Sequence, residues 1–106
     1  MRQVALVPNP KGEVRRVMVY DPEDSGGVHL FLFHILDDGP GFADYWFTSQ
    51  SEAVDQARLQ YGVEAADWQP ISDPPPGCQH DWIAPVRVAR DETGRPVYGR
   101  FERLPE

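Results

Sequence analysis

The stretch from Val28 to Leu36 is apolar on both of its alternating sets of residues, and no other feature constrains the fold as strongly. Val28, Leu30, Leu32 and Leu36 fall on one side of an extended segment, and Phe31, Phe33 and Ile35 on the other. Successive strand side chains leave on opposite faces, so this segment needs cover both above and below. It predicts a strand within a sheet rather than a surface ribbon. The supply of cover is limited, because the chain has 106 residues, about one domain. Its 41% hydrophobic and 25% charged content suits a single folded core and excludes a disordered tail, a fibrous repeat and a multidomain enzyme.

Other strands are legible around this one. Arg2 to Val7 is β-prone, Pro8-Asn9-Pro10-Lys11-Gly12 is a turn by composition, and Glu13 to Tyr20 resumes with Val14, Val17 and Val19. That pattern predicts a first hairpin. Asp21 to Gly27 and Asp37-Asp38-Gly39-Pro40-Gly41 read as turns on either side of the apolar strand. Phe42 to Thr48 predicts a fourth strand, with Ala43, Tyr45 and Phe47 on one side and Phe42, Asp44 and Trp46 on the other.

One helix is expected at about residues 50–61. Ser49 and Glu52 have capping-box spacing, with Glu52 reaching back to the cap amide. Ala53, Val54, Ala57 and Tyr61 recur on one face, Leu59 falls off it, and Gly62 supplies the stop. Beyond it come one short helical turn within 63–68 and a brief strand over Trp68 to Ile71. Residues 72–82 form an irregular loop stiffened by Pro74-Pro75-Pro76, and a last hairpin joins Ile83–Arg90 to Val97–Leu104. Pro85 and Pro96 lack amide protons, so they belong at strand starts or edges. The order β-β-β-β-α-β-β, with about four to six strands, is that of an α+β domain with an antiparallel sheet and one helix on one face.

A sheet of this size is roughly 20–25 Å wide, whereas a twelve-residue helix shields a strip roughly 10 Å by 18 Å. The helix cannot cover both faces. The internal candidate for the second face is the proline-rich loop with Trp68 and Trp82 at its ends, backed by the last hairpin. The external candidate is a second chain. Internal cover with a leftover contact patch is the expectation, since large exposed apolar patches mark contact sites.

Charge narrows the partners. The formal net charge is -7 and it is unevenly placed. Residues 1–19 carry +3, residues 20–82 hold twelve carboxylates against Arg58 alone, and residues 83–106 carry +1. Nucleic acid is not expected, because a stacking platform of Phe31, Phe33, Tyr45 and Phe47 needs basic residues beside it and the 20–82 segment has only Arg58. Cys78 is the sole cysteine, which excludes an intrachain disulfide. No apolar run suits a signal peptide or a membrane span, so a cytoplasmic protein is expected.

The candidate chemistry is sparse. Cys78 and His80 are two apart and leave an extended chain on the same side, so a metal or small-molecule site, with or without catalysis, would join them to His34 beneath the 72–82 loop. The competing reading has Cys78 half-buried, His80 exposed and His34 in the core. A calcium loop starting at Asp21, with Glu23 and Asp24, would need a carboxylate where Leu32 stands. Ser25, Ser49, Ser51 and Ser72 lack a nucleophile-elbow context, a Cys78–His80 dyad lacks facing geometry, and no glycine-rich phosphate loop precedes a helix. No catalytic residue and no cofactor is therefore assigned.

Asp44-Tyr45-Trp46-Phe47-Thr48-Ser49, Glu52-Ala53, Gly62-Val63 and Trp68 resemble a pattern in small stand-alone bacterial domains of unknown function: a strand ending Trp-Phe, a Ser-x-x-Glu-Ala helix start, a Gly-Val stop and a following Trp. The resemblance covers about a quarter of the chain, implies a compact α+β domain and supplies no catalytic residues to carry over. The functional expectation is a non-enzymatic protein–protein interaction module: a homodimer, an adaptor, an inhibitor or an immunity-type partner. Its contact residues would be Tyr45, Trp46, Trp68 and Trp82, because buried tryptophan and tyrosine dominate contact hot spots.

Overall fold

The computed structural model describes residues 1–10, 12–23, 26–34, 36 and 39–104. Lys11, Asp24, Ser25, Ile35 and the Asp37-Asp38 part of the expected turn lie outside the described residues. The elements run β1 (Arg2–Leu6), β2 (Arg16–Tyr20), β3 (Val28–Phe33), β4 (Ala43–Phe47), α1 (Gln50–Tyr61), a 3-10 turn (Ala65–Asp67), β5 (Gln69–Ile71), β6 (Val86–Arg90) and β7 (Pro96–Arg103). The fold is α+β. Its strands divide into a five-stranded antiparallel sheet in the order β4-β3-β2-β1-β5 and a separate β6–β7 hairpin. Pro85 precedes β6 and Pro96 opens β7, where a missing amide proton costs least.

Register decides which side chains meet. Leu30 of β3 pairs with Val19 of β2 and Tyr45 of β4, and His29 pairs with Tyr20 and Trp46. The first row faces α1 and the second faces the opposite side. On the helix side, Val17, Val19, Val28, Leu30 and Leu32 bury against Ala53 and Ala57, with Val63 and Trp68 closing the core. The alanines let the helix approach closely, while Leu59 faces solvent at 71% exposure.

The helix begins and ends where its capping residues dictate. Ser49 Oγ accepts from the Glu52 amide at 3.3 Å, but the Glu52 carboxylate takes the Thr48 hydroxyl at 2.6 Å instead of reaching back to the cap amide. The reciprocal half of the expected capping box is thus replaced by a bond to the preceding residue. Gly62 adopts φ 72°, and its N–H donates to Arg58 O at 3.0 Å.

The second face is covered from within. Met18, Phe31 and Phe33 are buried there and pack with Val4, Tyr20, Ile71 and Ile83. Ile83 belongs to the segment joining β5 to β6, which crosses this face and is pinned by Arg2. That side chain is 3% exposed. Its guanidinium donates to Ser72 O at 2.6 and 2.9 Å, to Trp82 O at 2.6 Å and to Ile83 O at 3.4 Å. The Trp82 ring then meets Phe101 of the hairpin at 5.3 Å, which extends the cover outward.

Candidate functional site

The four aromatic residues marked in the sequence separate into two groups. Trp68 stands in the helix-side core, 9% exposed, and its indole N–H has no hydrogen-bond partner among the described residues. Trp82 is half-buried, its carbonyl held by Arg2 and its ring by Phe101. Both build the fold. Tyr45 and Trp46 remain 51% and 56% exposed.

These two belong to β4, which ends the sheet and pairs only with β3 among the described residues. An outer strand presents a row of backbone donors and acceptors with no strand to receive them. Because neighbours alternate, Tyr45 projects on the helix side and Trp46 on the opposite side, so aromatic surface flanks this open edge above and below.

Trp46 is held in place. Its Nε1 donates to Gly26 O at 2.7 Å, so its one polar group is spent internally. The indole lies against Gly27, where an added Cβ would stand 1.9 Å from Nε1. Gly27 also has φ +95°, which side chains other than hydrogen rarely permit. What Trp46 offers outward is therefore rigid apolar ring. Beside it opens a cleft of about 350 Å³ lined by Asp21, Gly27, Trp46, Thr48, Ser49 and Gln50. Asp44, two residues earlier on the same side of β4, is exposed and lies 3.5 Å from His29 Nδ1 on its inner flank.

Tyr45 has a neighbour of its own across the helix side. Burial pushes the Tyr61 phenol above its ordinary value, and proximity to Tyr45 pushes it in the same direction. Tyr45 lies on the helix-side row of β4 and Tyr61 ends α1, packed against the same core.

The residues of the alternative site do not converge. His80 stacks over Tyr20, His29 and Phe31 at centroid distances of 5.5, 5.9 and 5.7 Å. His34 lies past the end of β3 and stacks on Phe42 at 3.5 Å. It is exposed, against the expectation of a core histidine, while His80 is exposed and Cys78 half-buried as that same reading holds. Among the described residues no group of three or more His, Cys, Asp and Glu side chains is placed to hold a metal ion. No described helix is long and apolar enough to cross a membrane.

Two features went unread in the sequence. The histidine-aromatic stack joins His29 to a loop residue fifty-one positions away, and nothing local marks that pair. Arg2 left one trace, since it opens the alternating run Arg2, Val4, Leu6 and therefore shares a face with apolar residues. In comparisons with known proteins, the chain matches no family model, no curated protein and no solved structure at a significant level. The reading of function thus rests on the geometry of this chain.

Proposed function

We propose that this protein is a non-enzymatic interaction module whose contact surface is the open edge of β4 with Tyr45 and Trp46. One observation carries the reading: a fixed tryptophan with its N–H already satisfied stands half exposed on an outer strand that pairs with β3 alone among the described residues. Natural edge strands are usually blunted by charged side chains, proline or a bulge; Ala43–Phe47 has no proline or bulge, and its one charge is Asp44. Tryptophan and tyrosine are enriched among the few residues that carry most of the binding energy at protein contacts. Trp68 and Trp82 have structural tasks and drop out of the surface, while the loop under which Cys78, His80 and His34 would have gathered serves as cover for the sheet.

The test is photo-crosslinking in the cells that express the protein, with a photoreactive residue at position 45 and a control at position 98. Tyr98 is 85% exposed but lies on the hairpin, away from β4. The expected result is a discrete adduct from position 45 alone, competed away by added wild-type protein and not by the Trp46→Glu variant. Indiscriminate adducts from both positions would overturn the reading.

A further inference from the structure

We infer that the occupant of the β4 edge is an extended, arginine- or lysine-bearing segment of another protein, added as a sixth strand. The inference rests on the contact surface proposed above and adds the partner's chemistry. Strand addition draws affinity from main-chain hydrogen bonds and specificity from alternate side chains. A strand laid along β4 sets its residues opposite Asp44, Tyr45 and Trp46, with directly opposed Cβ atoms roughly 4.5–5.5 Å apart.

Charge selects what stands there. Asp44 is exposed on the outer strand, so a cationic side chain placed opposite gains an ion pair and a carboxylate placed opposite is repelled. Trp46 lies two residues along on the same side, and diagonal neighbours at roughly 7–8 Å remain within reach of a long side chain. An arginine at that position can stack on the indole, whose face attracts cations. The indole cannot compete for the segment's hydrogen bonds, since its N–H is committed to Gly26 O.

The wider field points the same way. Arg58 is the only lysine or arginine between residues 20 and 82. It sits late in α1, where its ion pair is with Asp55 at 4.0 Å rather than with a carboxylate of β4. Glu52, in the first turn of the helix, adds a further carboxylate beside β4. A basic segment is steered toward such a surface, and the encounter weakens as salt rises. A second copy of this chain brings -7 of its own, which opposes self-pairing.

Isothermal calorimetry on the whole chain tests this with three eight-residue probes of one alternating pattern: Arg-Val repeats, Gln-Val repeats and Glu-Val repeats. The expected result is binding of the Arg-Val probe that weakens several-fold between 50 and 300 mM salt (about one to three ion pairs). Trp46→Ala should weaken it about tenfold and Asp44→Asn about three- to fivefold, while Trp46→Phe keeps most of the affinity. The Glu-Val probe should not bind. Equal binding of the Gln-Val probe overturns the charge selection and leaves the contact surface standing. If no probe binds while position 45 still gives its discrete adduct, the partner is a folded surface and the strand-addition inference fails. Concentration-dependent dimerisation abolished by Trp46→Glu assigns the edge to a second copy and likewise overturns it.

Discussion

Arg2 Nη1 donates to the carbonyl of Trp82 at 2.6 Å, joining the first strand to a residue eighty positions later. The same guanidinium holds Ser72 O through Nε and Nη2, so the two ends of the covering segment are fastened to a single side chain. This clamp lets a chain with one helix bury both faces of its sheet. An apolar residue of similar length at position 2 would leave those carbonyls facing a donorless interior. Arg2→Met is expected to cost about 2–4 kcal/mol and to expose the 72–83 segment to protease. Urea denaturation with limited proteolysis checks both. Arg2→Lys should fall between, since a point donor replaces a planar fork. Unchanged cleavage in Arg2→Met would mean that the loop is held by Ile83 packing alone.

Gly27 and Trp46 form a second dependent pair. A methyl at Gly27 would occupy the indole's place, and φ +95° makes the backbone unfavourable for alanine as well. Gly27→Ala should therefore cost about 1–3 kcal/mol and free Trp46 from Gly26 O. Its signature is a rise in iodide quenching of tryptophan emission that disappears in Gly27→Ala/Trp46→Phe. Destabilisation with unchanged quenching would show that strain acts through the backbone alone.

Trp68 carries an unusual balance, a large buried ring with an unpartnered N–H among the described residues. Burying that donor costs about 1–3 kcal/mol, so Trp68→Phe removes a penalty while giving up some packing. The expected change is about 1 kcal/mol or less in either direction. Trp68→Ala keeps no compensation and should lose about 3–5 kcal/mol. Denaturation midpoints for the two variants separate these outcomes, and a large loss in Trp68→Phe would reveal a partner for the indole nitrogen.

The same comparisons explain how far the sequence could be read. The helix at Gln50–Tyr61 was legible because Ser49 and Gly62 mark its ends through local geometry. The double-sided apolar pattern of Val28–Leu36 announced two covered faces; the strand Val28–Phe33 is covered on both, while Leu36 lies past its end and is 55% exposed. The separation of β6 and β7 from the main sheet was not legible, because strand pairing depends on how distant edges meet. Trp46 and Trp68 are the same residue type, twenty-two positions apart. Which one faces the core is settled by sheet order, which places the first on an outer strand and the second beneath the helix. Arg2 was missed for a related reason: an arginine on a strand ordinarily points to water, and only the returning loop brings carbonyls to it.

The border between β4 and α1 gives a prediction with a definite sign. Tyr61 is half-buried beside the helix-side core, and burial first, then the nearby Tyr45, raises its phenol above the ordinary value of about 10. The fold therefore favours the neutral phenol over phenolate. Stability linked to this group is fully present below the unfolded-state value and is lost as pH rises through the folded-state value. Ultraviolet titration of the four tyrosines should show a late step that vanishes in Tyr61→Phe, and that variant should lose less stability on the alkaline side than wild type. Tyr45→Phe should move the step down only slightly, because burial is the larger cause. If no late step belongs to Tyr61, its hydroxyl faces water and the helix packs more loosely against β4 than this geometry requires.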